Sequence, residues 1–475
     1  MEEQDEELEE VESPKFQFVH VEDVQSPEDE KDGVIALIKK RSNEIMASFS
    51  AACGALAIGT ILGWTSPVLP KLNYTDEEES WIGSSMTIGA ALSTFHSAYL
   101  LDNLGSRATI LIQIFPFTIG WLILAFGQTN VSMMYVGRIL LGTAVGGCSM
   151  SVPVYIAEIS SPDVRGALCT LFQFMLNIGI MYVYLLGKFF SVSLLCFACL
   201  LWPVINACTM ALLHESPYFL AKKQKMDAAE KAVVFFRPNK DPDKEFEEMQ
   251  ESLHIKPESF IRVMQSKPTR KAALVILMLM FFLQVSGINS VMFYSEQVFE
   301  MANSSLTGED AAILLGALQI VVTGIAAVVV DKSGRRVLLI SSYIGMCLCH
   351  FLLAVYFHTF YLNNEMSWLP LLCILIFAIC FSLGSGPIPY TMLGEILPTA
   401  AKGSVSCAAV FTSWAMAFVV TRTFHPLKNI HISAPFWLYG MLCVLGTILI
   451  FAFVPETKGK TLYQIQKEFE GKESD

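Results

Sequence analysis

Six carboxamide side chains interrupt stretches of sequence that are otherwise apolar: Gln173 and Asn177, Asn206, Gln284 and Asn289, and Gln319. A carboxamide donates and accepts hydrogen bonds at once, so at membrane depth two chemistries are open to it. It can join helices to one another, or it can recognise a neutral ligand rich in hydroxyl groups, with an aromatic ring facing the ligand's apolar side. Gly287 falls between Gln284 and Asn289, ahead of Phe293 and Tyr294, and Pro387 and Pro389 sit in a later apolar run beside Gly384 and Gly386. Proline removes a helix hydrogen bond, and a membrane tolerates that where neighbours re-satisfy the backbone. Gly287, Tyr294, Pro387 and Pro389 are therefore expected to form a mobile gate over a lined site, the alternative being a static kink.

The second chemistry is ionic. Asp102-Asn103-Leu104-Gly105-Ser106-Arg107 and Asp331-Lys332-Ser333-Gly334-Arg335-Arg336 are near copies. Glu158, followed by Arg165-Gly166, has a partner in Glu395, followed by Lys402-Gly403, and Glu215-Ser216-Pro217 has one in Pro455-Glu456-Thr457. Three matches in one register point to an internal duplication. Acids and bases at one end of both halves can pair when that side is shut and must part when it opens. Each such pair is worth about 0.2–1 kcal/mol, so a network biases a two-state equilibrium without locking it. The candidate gate comprises Asp102, Arg107, Glu158, Arg165, Glu215, Asp331, Arg335, Arg336, Glu395, Lys402 and Glu456.

The elements that must position these groups are membrane helices. Of 475 residues, 53% are hydrophobic and 16% charged, far more apolar than a soluble domain, and mean hydropathy is +0.50. A bilayer core takes about 20 apolar residues per helix, and charged or turn-rich breaks divide the chain into twelve such stretches. The expected fold is an all-α membrane protein of twelve transmembrane helices in two pseudo-symmetric six-helix bundles, residues 43–213 and 271–454. A helical linker, 214–270, joins them, and tails at 1–42 and 455–475 flank them. With the N-terminus inside, the inward-facing segments hold 27 of the 32 Lys and Arg residues, as the positive-inside rule requires. Asn73 and Asn303 head N-x-[ST] sequons in expected outer loops and are candidate glycosylation sites. The first 30 residues hold thirteen acids against Lys15; such a run cannot bury enough apolar surface to order itself, and it reads as a disordered cytoplasmic tail able to recruit a partner. The twelve cysteines fall in apolar stretches and read as packed thiols. No nucleophile, metal cluster or phosphate loop emerges, so no enzyme, cofactor or nucleic-acid partner is expected.

Several motifs carry a family resemblance across residues 45–465. They are Gly137-Arg138, the run from Pro153 to Pro162 with Arg165-Gly166, Glu215-Ser216-Pro217, the run from Gln284 to Asn289, the run from Gly386 to Pro389, and the run from Pro455 to Thr461. Together they resemble the sugar porters of the major facilitator superfamily, of the animal hexose and trehalose facilitator type. The runs Gly63–Pro67 and Asp76–Trp81 are most similar to the arthropod trehalose-transporter-like branch. The resemblance implies a substrate site at Gln173, Gln284, Asn289, Gln319, Phe381, Gly386, Tyr390, Ser413 and Trp414. It also exposes departures, since Leu283, Gln319, Ser382, Tyr390 and Ser413 stand where the family usually has other residues, Tyr218 where an arginine is usual and Ser106 where a base is. Proton-driven relatives have an aspartate at the position of Thr65, and no acid lies between Met46 and Lys71. A proton relay needs a titratable group at membrane depth, so passive facilitation is expected. The leading reading is a carrier of a neutral sugar, hexose or trehalose, by alternating access in a plasma or internal membrane, with both termini cytoplasmic. The alternatives are a non-transporting sugar sensor on the same fold and a carrier of another polyol-like solute.

Overall fold

The computed structural model describes residues 41–238, 259–301, 306–360, 366–458, 460 and 462–470. The acidic tail, Asn303 and most of the second half of the expected linker lie outside the described residues. The helices discussed below belong to the body of the chain, Asn43–Asp475.

Every described element is helical. Twelve long helices follow in order: α1 (Ser42–Gly63), α2 (Asp76–Leu104), α3 (Ser106–Phe126), α4 (Val131–Ile159), α5 (Pro162–Phe189), α6 (Val192–Ala211), α7 (Lys267–Phe293), α8 (Gly308–Ser333), α9 (Arg335–Val355), α10 (Trp368–Ile396), α11 (Thr399–Ile430) and α12 (Ala434–Phe453). Eleven of them are long and apolar enough to cross a membrane. The exception, α2, is long but begins Asp76-Glu77-Glu78-Glu79 and is rich in Ser, Thr and Gly. Its polar composition is tolerable because it packs along α4 and α11, leaving Leu92, Phe95 and Tyr99 as its exposed apolar stripe. Of the linker, Pro217–Lys222, Met226–Phe236 and Phe260–Gln265 are short helices.

The packing repeats. Helix α3 lies against α4 and α6, and its counterpart α9 lies against α10 and α12. Contacts between the first six helices and the last six run chiefly through α2 with α11 and α5 with α8. Inside a bilayer, apolar burial no longer drives helices together, so close approach of small residues does. Gly89 of α2 and Gly142 of α4 supply it: a Cβ on Gly89 would fall 2.1 Å from the Ile139 carbonyl oxygen, and one on Gly142 2.0 Å from that of Met86.

Both ends of the bundle carry charge. The end bearing the repeated loops is called here the hinge end; the other bears Asp76, Glu296 and His425. Gly142→Val forces α2 and α4 apart, and overpacking of this kind costs about 1–3 kcal/mol. A lowered melting temperature of the purified protein in detergent is expected, and an unchanged melt would contradict the close approach.

Candidate functional site

Two broken helices bring the carboxamides together. In α7 the chain turns at Gly287, whose φ of 86° belongs to the left-handed region that glycine alone adopts without strain. A Cβ there would also lie 2.6 Å from the Tyr439 ring. The carbonyl freed at Ser286 meets the His350 Nε2 at 2.8 Å. The break lets Asn289 turn back on Gln284: Asn289 Nδ2 donates to Gln284 Oε1 at 2.5 Å, and Gln284 Nε2 donates to Ser413 Oγ of α11 at 2.7 Å. In α10 the irregularity begins before the prolines, as a single wide turn of π type at Phe381–Ser385, and Ile388–Ile396 resumes the α-helix. Ser342 of α9 bridges this break, donating to the Cys380 carbonyl at 2.6 Å and accepting from the Ser385 N–H at 3.1 Å.

A second polar group joins the two sets of six helices. Gln173 donates to Asn177 at 3.3 Å, and Asn177 donates to Thr323 of α8 at 2.7 Å. One turn along α8 from Thr323, on the same face, Gln319 Nε2 reaches Met292 Sδ at 3.6 Å, and Met292 lies one turn from Asn289. The side chains thus make one polar seam from Gln173 to Ser413. Gln284, Asn289, Gln319 and Ser413 are buried, Gln173 is half-buried, and Tyr390 is exposed. Gln319 Oε1 and Trp414 Nε1, both buried, have no hydrogen-bond partner. Phe381 packs against the core, and buried Gly386 donates its N–H to the Phe381 carbonyl at 2.9 Å. Asn206 stands apart, donating to the Ser50 carbonyl of α1 at 2.8 Å, so it acts as interhelical glue.

At the hinge end one arrangement occurs twice. Gly105 and Gly334 have φ of 97° and 90° and open the N-termini of α3 and α9. Glu215 accepts from the N–H groups of Arg107 at 2.9 Å and Ala108 at 3.1 Å, and Glu456 accepts from those of Arg335 at 2.9 Å and Arg336 at 3.1 Å. Burial works against ionisation of Glu456, but the N–H groups of Lys458, Arg335, Arg336 and Thr457 outweigh it and hold the carboxyl below the usual carboxylate range. The guanidinium of Arg107 caps α6 through the Met210 and Ala211 carbonyls, at 2.9 and 2.8 Å, and that of Arg336 caps α12 through Phe451 at 2.5 Å. Arg335 pairs with Glu395 at 3.0 Å, Glu158 accepts from Ser106 at 3.2 Å, and Asp102 pairs with Lys222 at 3.1 Å. Apart from Lys222, which belongs to the linker, these contacts stay within the first half of the chain or within the last. Arg165 of the first set and Lys402 of the last repel each other electrostatically, and within the last set a cavity of about 400 Å³ opens beside Arg335, Glu395 and Lys402. The side chain of Asp331 lies outside the described residues.

The opposite end is shut. Tyr294, fully buried, stacks on Phe424 of α11 at 5.1 Å and presses against Gly83 of α2, where a Cβ would lie 2.4 Å from its hydroxyl. Arg422 of α11 lies over Trp81 and reaches Ser80 at 3.1 Å and Glu77 at 3.6 Å; Lys188 pairs with Asp310 at 2.5 Å, and Gln297 donates to Glu79 at 2.8 Å. All of these join the first six helices to the last six. The Glu296 N–H donates to Ser66 at 3.2 Å, and its buried carboxyl is pushed up to about 7, chiefly by burial, then by Glu309 and Glu300, with Lys71 opposing.

Residues 34–469 match the family described as Sugar (and other) transporter. The chain belongs to that family. This transporter is 35% identical to the facilitated trehalose transporter Tret1 of Bombyx mori over 436 residues, covering 89% of this chain and 86% of that one. It is 34% identical to Tret1 of Anopheles gambiae over 450 residues, covering 90% of this chain but 56% of that protein, so it spans about half the length of that relative. Its fold is similar to the partially occluded, inward-open xylose transporter XylE of E. coli, with a TM-score of 0.76 and 25% identity over 89% of this chain and all of that one. The expected all-helical major facilitator fold is thereby established.

Sequence reasoning passed over four contributors. Asn177 was read as a mid-span amide but not placed in the site, and Thr323 and Met292 gave no signal beyond their spacing from Gln319 and Asn289. Arg237 of the linker caps the end of α4 through Ser160 at 2.8 Å and Ile159 at 3.3 Å, and its residue type gave no sign of that target. Two expected outcomes test this geometry. Glu456→Gln removes the charge that two helix N–H groups face, and hydrogen bonds to charged groups are worth about 1.5–3 kcal/mol, so a clear drop in thermal stability is expected. For Glu296, a folded-state value near 7 against about 4.5 when free means stability falls as pH rises between the two. The decline in melting temperature across this range should flatten in Glu296→Gln, and an equally steep decline would show that another group titrates.

Proposed function

We propose that the chain is a facilitative carrier of a neutral sugar, a hexose or trehalose, working by alternating access without ion coupling. The observation that carries the reading is the polar seam from Gln173 to Ser413, which lies where the two sets of six helices meet and is shut off at one end by Tyr294. Carboxamides and hydroxyls suit sugar hydroxyls, and Trp414 and Phe381 offer aromatic faces. The substrate-contacting set is Gln173, Gln284, Asn289, Gln319, Phe381, Gly386, Tyr390, Ser413 and Trp414, with Asn177 added. The hinge-end acids and bases form the gate that closes when the Tyr294 end opens, moving about Gly287 and the Phe381–Pro389 break.

Passive transport is supported by the surroundings of Arg138. This fully buried cation donates to the Ile61 and Ile82 carbonyls, at 3.0 and 3.1 Å, and lies over the Trp64 ring. Its hydrogen bonds go to carbonyls, and Thr65, next in the chain after Trp64, supplies no titratable group. The family match and the trehalose carriers among the relatives favour carrier over sensor.

The hinge end faces the cytoplasm in this reading, with Asn73 outside, in the plasma membrane. Asn73 is exposed between α1 and α2; a glycan lost in Asn73→Gln, read as a gel shift, is the expected outcome, and modification of a sequon engineered at the hinge end instead would invert the orientation. In proteoliposomes, counterflow of labelled trehalose and glucose without an ion gradient is expected. Gln284→Ala should raise the KM about tenfold, because it deletes a carboxamide that would bond the sugar hydroxyls, each such bond being worth about 0.5–1.5 kcal/mol. Binding without flux would support the sensor, and accumulation driven by a proton gradient would overturn facilitation.

A further inference from the structure

The shut end holds an unexplained histidine. His425 of α11 is 1% exposed, yet neither ring nitrogen has a hydrogen-bond partner. Buried polar atoms almost always have one, so an orphaned imidazole calls for a reason. Its rings of contact are Tyr294 at 4.8 Å and Phe424 at 5.8 Å, which hold the imidazole in place without satisfying it. It faces the first turn of α2, where Asp76 and Glu79, three residues apart, share one face of the helix. His425 Nδ1 lies 3.9 Å from Asp76 Oδ1, and one ligand atom from each of Asp76, Glu79 and His425 falls within 4.8 Å of the others.

We propose that Asp76, Glu79 and His425 form a binding site for a divalent transition-metal ion, with Zn²⁺ the best match, that ties α2 to α11 at the shut end. One imidazole and two carboxylates, with water in the fourth position, is a donor set zinc accepts. Ligand atoms about 2.0–2.2 Å from an ion lie about 3.3 Å apart, so separations of up to 4.8 Å must close by at most about 1.5 Å. Asp76 can supply that movement, since its side chain is 54% exposed, and it also leaves the site open to ions from solution. Two cations stand near: Lys428 Nζ is 3.8 Å from Asp76, and Arg422 is engaged with Glu77 and Ser80. Lys428 is a flexible ammonium that a metal displaces, and Arg422 is held on other partners. Glu79 keeps its second oxygen free of Gln297, which uses only Oε2. Because the ligands come from both sets of helices, the ion binds this conformation in preference to one in which α2 and α11 have parted.

Zn²⁺ alone, titrated into the full-length, tag-free protein in detergent, tests the site without reference to the cargo, so failure here leaves the transport reading untouched. One ion per chain and a raised melting temperature are expected. His425→Gln on α11 and Glu79→Gln on α2 should each weaken binding about tenfold or more, while Glu309→Gln, an acid at the same end outside the cluster, leaves it unchanged. If His425→Gln does not yield monodisperse protein, Asp76→Asn, on the exposed ligand, decides the matter. No saturable binding, or binding that persists undiminished in the α2 and α11 variants, overturns the proposal.

Discussion

The hinge end depends on a carboxylate that arrives from the far side of each helical set to cap a helix. Glu215, just beyond α6, holds the N-terminus of α3, and Glu456, just beyond α12, holds that of α9. A helix N-terminus carries unpaired N–H groups and a partial positive charge, and both are costly next to lipid unless something answers them. One ionised side chain answers both, and in doing so fixes where α3 and α6, or α9 and α12, lie relative to each other. The arginine that follows returns the favour at the other pole, capping the carbonyl end of α6 or α12. Each set is thereby clamped within itself, which is what rigid bodies that rock against one another require.

The same scarcity of water governs the broken helices. A bilayer offers no partner for a freed carbonyl, so the breaks in α7 and α10 survive because His350 and Ser342 satisfy them. This explains what was legible in the sequence. The duplication was readable because capping groups must be charged and recur in the same order, at offsets of 229 to 241 residues. Gly287 was readable because few residues tolerate its backbone angle. The π turn at Phe381–Ser385 was not, because the prolines that mark the region sit after it, and the wide turn is set by packing against α9. Partner choice among the charges was the least legible feature. Residue type says that Glu395 or Arg107 seeks a partner, and only the third dimension says that the partner is Arg335 in one case and the end of α6 in the other. The carboxamides divide on the same ground, Asn206 binding a neighbouring backbone while the others converge.

The conformation is asymmetric in a way that follows from these contacts. At the shut end, the Tyr294 hydroxyl against Gly83, the Arg422 contacts and the Lys188–Asp310 pair all cross between the two sets of helices, while at the hinge end the like charges of Arg165 and Lys402 repel. Individual surface pairs contribute little. A balance of that kind leaves two arrangements close in free energy, as a rocking protein needs.

The seam itself bears on speed. Gln284, Asn289 and Ser413 bond to one another, as do Gln173, Asn177 and Thr323. If this seam is the sugar site proposed above, a sugar has to displace bonds already made among these side chains rather than meet unpaired groups. Each hydrogen bond gained by a sugar there would replace one lost, so the net gain per contact stays small and the seam would favour turnover over tight retention.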